Sequence, residues 1–320
     1  MFTIRQPPKI IFGENSAHDY TFPKNCLIVT SKGSRSRGWI DYLRINDRYI
    51  FDEVESNPSI ETVERIISQF QNSNFSCIVG LGGGSSLDVA KFAAYKMGKP
   101  KIMIPTTFGS GSEVTRIAVL KVNNKKQSFH HDDLLADIAI IDPYFIRHSS
   151  FQVIKNSAVD ACAQSTEGYD SKNGNSYTKL LCQKGFDILE EAILNEKYEK
   201  LPLGSLFTGL GFGNSSTTLG HALSYVFSNE GIPHGHALAF TTTIAHRFNN
   251  SIFYERFLKI VRKLNFQQIN LNQNLDEAAE LILTDRKHLD NNPKKVTKSD
   301  LILLLGIINA NKALEPLEFN

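Results

Sequence analysis

The chain has 320 residues, with 35 basic and 33 acidic side chains, so a net charge of +2 gives no electrostatic case for nucleic acid or a membrane surface. At 41% hydrophobic residues it can fill two cores, and its length predicts two domains. Residues 1–8 lack the apolar core of a signal peptide and no stretch is long enough to span a bilayer, so a cytoplasmic protein with a small-molecule partner is expected. Four widely spaced cysteines, Cys26, Cys77, Cys162 and Cys182, form no CxxC pair and read as reduced and structural.

In chain order, residues 8–12 and 26–30 read as strands, 34–43 as a helix and 48–54 as a strand. Residues 60–70 read as an amphipathic helix with Ser59 as N-cap and Glu61 in its first turn. The run 77–81 reads as a buried strand, 86–94 as a helix with a small-residue face, and 101–104 as a strand stopped by Pro105. This βαβα order predicts a parallel sheet covered by helices, with ligands bound beyond the carboxyl ends of the strands. After Pro143 the texture changes. Residues 153–169, 176–194, 203–223, 236–246, 253–264, 275–285 and 298–309 read as helices, without strand-like alternation between them. The fold class expected is an α/β domain with a parallel, Rossmann-like sheet over residues 1–146, followed by an all-α domain over 147–320.

Two junctions carry the chemistry of the first half. The strand at 77 meets Gly82-Gly83-Gly84-Ser85, and the strand at 101 meets Pro105-Thr106-Thr107-Phe108-Gly109-Ser110-Gly111-Ser112-Glu113. Successive glycines bring peptide N–H groups close to an anion, and the helix that follows adds its positive N-terminal end. The pattern is neither GxGxxG nor a P-loop, since Lys91 lies seven residues past Gly84. A tight strand-to-helix turn is the plain alternative for the glycines alone; the hydroxyl-rich second junction favours a phosphate and ribose site.

GGGSSLDVAK followed by PTTFGSGSEVT resembles the iron-containing, or group III, alcohol dehydrogenase family, which is distantly related to dehydroquinate synthases. The resemblance continues through Asp137–Pro143, Asp160 to Tyr169 and Pro233-His234-Gly235-His236-Ala237, and covers roughly residues 8 to 298. A narrower resemblance, to phosphonoacetaldehyde reductases, rests on Gln164, on His221-Ala222-Leu223-Ser224-Tyr225 and on residues 231–236. The resemblance implies NADP or NAD as cofactor, bound by Ser31, Asn57, Gly82, Gly83, Gly84, Ser85, Asp88, Thr106, Thr107, Ser110, Ser112 and Lys126. It also implies a divalent metal, iron or zinc, with Asp160, Gln164, His221 and His234 in the four ligand positions. Asp160 and Gln164, four apart on a helix, project from one face. Gln164 departs from the histidine usual in the family and is the weaker ligand.

Hydride transfer from a nicotinamide to a carbonyl polarised by the metal is the implied reaction, on a small aldehyde or alcohol, with Tyr225 and His236 as proton-relay candidates. Ser31 stands where the family often has aspartate, and with Lys32, Arg35 and Arg37 it favours NADPH over NADH without excluding either. Lys155, Arg116 and Arg247 are cations available to an anionic substrate. A homodimer is a further expectation. Two other readings stay open: a dehydroquinate synthase-like enzyme, and a non-catalytic nucleotide-binding homologue whose metal site is degenerate at Gln164.

Overall fold

The computed structural model describes residues 1–123 and 125–315, and the chain divides into two compact units, Met1–Ser149 and the residues from Ser150 onward. Strands of the first unit are β1 (Lys9–Phe12), β2 (Cys26–Val29), β3 (Arg48–Phe51), β4 (Cys77–Gly82), β5 (Lys101–Pro105), β6 (Ile117–Val122), β7 (Lys125–His130) and β8 (Ile138–Ile141). Its helices are α1 (Ser16–Asp19), α2 (Lys32–Ser36), α3 (Trp39–Tyr42), α4 (Ile60–Phe70), α5 (Gly84–Met97) and α6 (Tyr144–Arg147).

Six strands pair in parallel in the order β1-β8-β5-β4-β2-β3, and β6 with β7 makes a separate antiparallel hairpin. Every residue of β2, β4 and β5 is buried, as expected of parallel strands covered on both faces. Helix α4 buries Val63, Ile66 and Phe70 at helical spacing, in one core with Leu27, Val29, Ile78 and Leu87. From β2 the chain steps to β3 at one edge, whereas from β4 it steps to β5 in the opposite direction. The order therefore reverses between β2 and β4, and that switch point is where an open parallel sheet leaves a crevice at its carboxyl end.

Two expectations for this unit need correction. The single helix over 34–43 is two short ones, because Gly38 adopts φ of 73° between them. Ser59 holds the N-cap position of α4, but its side chain does not cap: Glu55 Oε1 accepts from Ser59 N (2.9 Å), Ser59 Oγ (3.1 Å) and Thr62 Oγ1 (2.8 Å) instead.

The second unit consists of α7 (Phe151–Asp170), α8 (Ser176–Leu194), α9 (Leu201–Phe212), α10 (Leu219–Asn229), α11 (His234–Asn249), α12 (Tyr254–Leu264), α13 (Leu275–Leu283), α14 (Arg286–Asn291) and α15 (Lys298–Asn309). Among its described residues there is no strand. The helix expected over 203–223 breaks into α9 and α10. Asn291 Nδ2 donates to Ser215 O (2.8 Å) and Thr217 O (3.1 Å), so carbonyls of the intervening turn are satisfied by a residue far along the chain. No described helix is long and apolar enough to cross a membrane.

Candidate active site

In the first unit, three turns meet at the carboxyl ends of β2, β4 and β5. Thr30 Oγ1 donates to Leu81 O (2.6 Å) and Thr106 N to Gly82 O (2.9 Å), which ties the turns after β2 and β5 to β4. Gly82 has φ of 151°, and a methyl there would meet Ser86 Oγ at 2.6 Å and Ser34 Oγ at 3.8 Å. A Cβ on Gly83 would lie 3.0 Å from Thr107 Oγ1, and one on Gly84 2.9 Å from Ser110 Cβ. The glycines thus let the two junctions close on one another. Helix α5 begins there with no side chain capping its first turn, so its N–H groups and dipole are available to an anion.

The hydroxyl-rich turn is held from inside. Buried Lys91 donates through Nζ to Ser112 O (2.8 Å), Thr115 O (3.2 Å) and Ile117 O. Asp88 accepts from Ser112 Oγ (2.6 Å) and Val119 N (3.0 Å). Asp88 and Ser112 are therefore buried and bonded to each other, whereas Ser85, Thr107 and Ser110 are half-buried and Thr106 is buried. Burial pushes the neighbouring Glu113 carboxyl up to about 7, against the pull of Lys91. Asn57 is exposed before Pro58, and Lys126 lies on β7.

Ser31 caps α2, accepting from Ser34 N (3.3 Å). The basic cluster around it is partly engaged: Arg35 pairs with Asp52 (2.8 Å) and the Arg37 guanidinium lies 5.0 Å from the Trp39 ring.

In the second unit, Asp160, His221 and His234 converge, with one ligand atom from each lying within 4.8 Å of the others. Asp160 comes from the middle of α7, His221 from the first turn of α10 and His234 from the first residue of α11. Asp160 Oδ1 is 3.8 Å from His221 Nε2 and 3.9 Å from His234 Nε2. Both rings are oriented through Nδ1. His221 Nδ1 bonds the buried Glu167 carboxylate, and Ser224 Oγ, which donates to His221 O, lies 3.3 Å from His234 Nδ1. His221 Nε2 and His234 Nε2 both face Asp160 Oδ1.

Glu167 is the residue that sequence reading missed. Thr218 Oγ1 (2.8 Å) and Gly220 N (2.5 Å) also donate to it, which places its charge at the N-terminus of α10. Burial alone would raise Glu167, but His221 and Thr218 hold it at about 2; burial alone would lower His221, but Glu167 and Asp160 hold it at about 9. Its spacing was legible, since 160, 164 and 167 follow i, i+4, i+7 on one helix face.

Gln164 presents its nitrogen to Asp160 Oδ1 (2.9 Å), while Gln164 Oε1 and His221 Nε2 are buried without a hydrogen-bond partner. A carboxylate and two imidazoles, with His221 Nε2 orphaned in a buried site, suit a divalent iron or zinc ion, whereas Gln164 turns its nitrogen rather than its oxygen to Asp160.

Aromatic rings pack beside the cluster. Tyr225 stacks on His234 (6.2 Å between centroids), and His288 stacks on His221 (6.3 Å) and meets Tyr225 edge-on (5.7 Å). His236, one relay candidate, is instead engaged through Nε2 with Gln267 O (2.5 Å). The expected cations also have partners: Lys155 donates to Asn265 O (2.7 Å) over the Phe266 ring, Arg116 pairs with Asp132 (2.8 Å), and Arg247 donates to Glu315 O (3.3 Å).

Family models bear on both units. The iron-containing alcohol dehydrogenase model matches residues 7–143, and the C-terminal model of the Fe-containing alcohol dehydrogenase family matches residues 154–290. The chain belongs to the iron-containing alcohol dehydrogenase family. Within that family it is 33% identical to long-chain-alcohol dehydrogenase 1 of Geobacillus thermodenitrificans, over 68% of this chain and 64% of that one. The matched segment spans less than two thirds of that relative. A crystal structure of an iron-containing alcohol dehydrogenase superposes with a TM-score of 0.88 at 25% identity, covering 98% of this chain and 99% of the other. Sulfoacetaldehyde reductase from Bifidobacterium kashiwanohense, solved with NAD+, has the same fold, with a TM-score of 0.87 at 22% identity over 97% of this chain and 99% of that one.

Proposed function

We propose that this member of the iron-containing alcohol dehydrogenase family is a metal-dependent, NAD(P)-linked alcohol dehydrogenase or aldehyde reductase acting on a small carbonyl compound. The observation that carries the reading is the convergence of Asp160, His221 and His234, with His221 Nε2 buried and unsatisfied among them, in a chain that also keeps an open helix N-terminus at its glycine junctions.

The roles divide by unit. In the first, the N–H groups at Gly83 and Gly84 and the hydroxyls of Thr107 and Ser110 hold the dinucleotide phosphates, and Ser31, lacking a carboxylate, accommodates a 2′-phosphate. In the second, Asp160, His221 and His234 hold the ion, with Gln164 Oε1 as a weaker fourth donor. A bound divalent metal supplies Lewis acidity toward the carbonyl oxygen, and the nicotinamide supplies hydride. Glu167 keeps His221 in the tautomer that ligation needs. Tyr225, packed on His234, is the relay candidate that remains. The finer reading is reduction of phosphonoacetaldehyde to 2-hydroxyethylphosphonate, supported by the motif resemblance at residues 221–225 and 231–236.

The test is metal analysis of the purified chain offered iron(II) or zinc, followed by NADPH and NADH oxidation with a panel of aldehydes that includes phosphonoacetaldehyde. One metal per chain is expected. The His234→Ala variant should lose metal and turnover together by orders of magnitude while retaining the dinucleotide. A wild-type chain that binds no metal, or that binds it and reduces no carbonyl, overturns the proposal; the first outcome is what a non-catalytic homologue predicts.

A further inference from the structure

His288 belongs to no motif that sequence reading singled out, yet it is built into the wall beside the candidate metal site. It lies on α14 and is 5% exposed. Asp285, the N-cap of α14, accepts from His288 N (3.3 Å) through one oxygen and bonds His288 Nδ1 (2.7 Å) through the other. The ring is thereby fixed in place and in tautomer. His221, His234, Tyr225 and His288 form a closed circuit of rings, with successive centroids 5.5, 6.2, 5.7 and 6.3 Å apart. Two of the four rings belong to the metal cluster and two do not. Among the described residues, neither His288 Nε2 nor the Tyr225 hydroxyl has a protein hydrogen-bond partner, and both atoms are accessible from outside the protein.

A polar atom on an almost fully buried side chain, oriented by a carboxylate and left without a protein partner beside a metal site, is arranged for a ligand. We infer that His288, held by Asp285, hydrogen-bonds through Nε2 to a second oxygen-bearing group on the substrate, away from the reacting carbonyl. The substrate class is a short aldehyde with a hydroxyl or oxyacid group a few atoms from its carbonyl, rather than a plain alkanal. With Nδ1 engaged by Asp285, Nε2 is the ring atom that meets this group, and the two ligand arms of the test distinguish a hydroxyl from an oxyacid. This rests on the reading of the Asp160, His221 and His234 cluster as the reaction centre.

The test compares wild type, His288→Leu, His288→Gln and Asp285→Asn, each zinc-loaded. Steady-state kcat/KM is measured for 3-hydroxypropanal and phosphonoacetaldehyde against propanal. Calorimetry of 1,3-propanediol and of 2-hydroxyethylphosphonate gives binding without turnover. Wild type should prefer at least one oxygen-bearing aldehyde over propanal by tenfold or more, and the arm that gains identifies hydroxyl or oxyacid. His288→Leu should abolish that preference and weaken the matching ligand at least tenfold, with propanal turnover changed less than threefold. His288→Gln should recover part of the hydroxyl preference, and Asp285→Asn, which keeps the cap, should lose part of either.

The inference is overturned if the leucine variant lowers all three aldehydes alike, if the preference survives, or if wild type binds neither diol nor phosphonate. Should wild type reduce no carbonyl, the proposed function falls, whereas the calorimetric comparison still decides whether His288 holds the ligand. If His288→Leu does not fold, His288→Gln and Asp285→Asn decide it, and unchanged ligand affinity in both overturns it.

Discussion

At the scale of single residues, the candidate site is ordered by carboxylates that orient imidazole rings. Glu167 is buried under α10, where it takes up the His221 ring, the Thr218 hydroxyl and the Gly220 amide. Replacing it with glutamine keeps the shape but removes the charge that fixes the imidazole tautomer. Glu167→Gln should therefore weaken zinc or iron(II) binding by about 10- to 100-fold, the range for partners that orient metal ligands. Competition against a chromophoric chelator measures this, and an unchanged affinity would show that Glu167 only supports the helix. The three strong ligand candidates were legible because Asp160, His221 and His234 sit in motifs that keep their spacing. His288 and Asp285 were not. Their pairing is local, but its place beside His221 arises from α14 packing on α10, which no short pattern encodes.

Among elements, the decisive contacts are those where backbone meets backbone. An ideal Cβ on Gly235 would lie 2.0 Å from Asn156 O, so the start of α11 rests directly on α7, one turn before Asp160. That contact sets His234 over the carboxylate. Gly235→Ala should cost at least about 3 kcal/mol, the upper end of overpacking penalties, and lower metal affinity as α11 is displaced. Gly306, inside α15, meets nothing nearer than Leu275 Cδ1 at 3.9 Å. Gly306→Ala should instead stabilise by up to about 1 kcal/mol, and denaturant melts of the two variants read the contrast directly.

The turn tied down by Lys91 gives a pH-dependent counterpart. The folded-state pKa of Glu113 is raised from 4.5 to about 7, chiefly by burial, so ionising it costs more in the folded chain than in the unfolded one. The wild type thus loses stability between pH 4.5 and 7 that Glu113→Gln keeps. The variant should match wild type near pH 4 and exceed it by about 1–3 kcal/mol above pH 7; a constant difference across that range would place the carboxyl in solvent. The longer elements were readable from periodicity, whereas α1, β6, β7, β8, α6 and α14, each six residues or fewer, were not. The breaks at Gly38 and between α9 and α10 lie where one glycine conformation or one distant asparagine outweighs helix propensity.

For the whole molecule, the two proposed roles fall in different units: a parallel sheet whose strand order reverses between β2 and β4, and a helical body that gathers one carboxylate and two imidazoles from α7, α10 and α11. Ligands that bind the native state suppress local opening where they are held, by an amount that grows with concentration over affinity. Hydrogen exchange of the full chain should therefore give two separate footprints. Zinc alone should slow amides around Asp160 to Glu167, the first turn of α10 and residues 232–236. NADPH alone should give its largest protection at residues 30–36, 82–88 and 105–112. In the Glu167→Gln variant the first footprint should fade at limiting zinc while the second persists, because the carboxylate serves only the imidazole cluster. Zinc protection centred on the glycine junctions, or NADPH protection centred on the histidine cluster and absent from residues 82–88, would refute the division of roles.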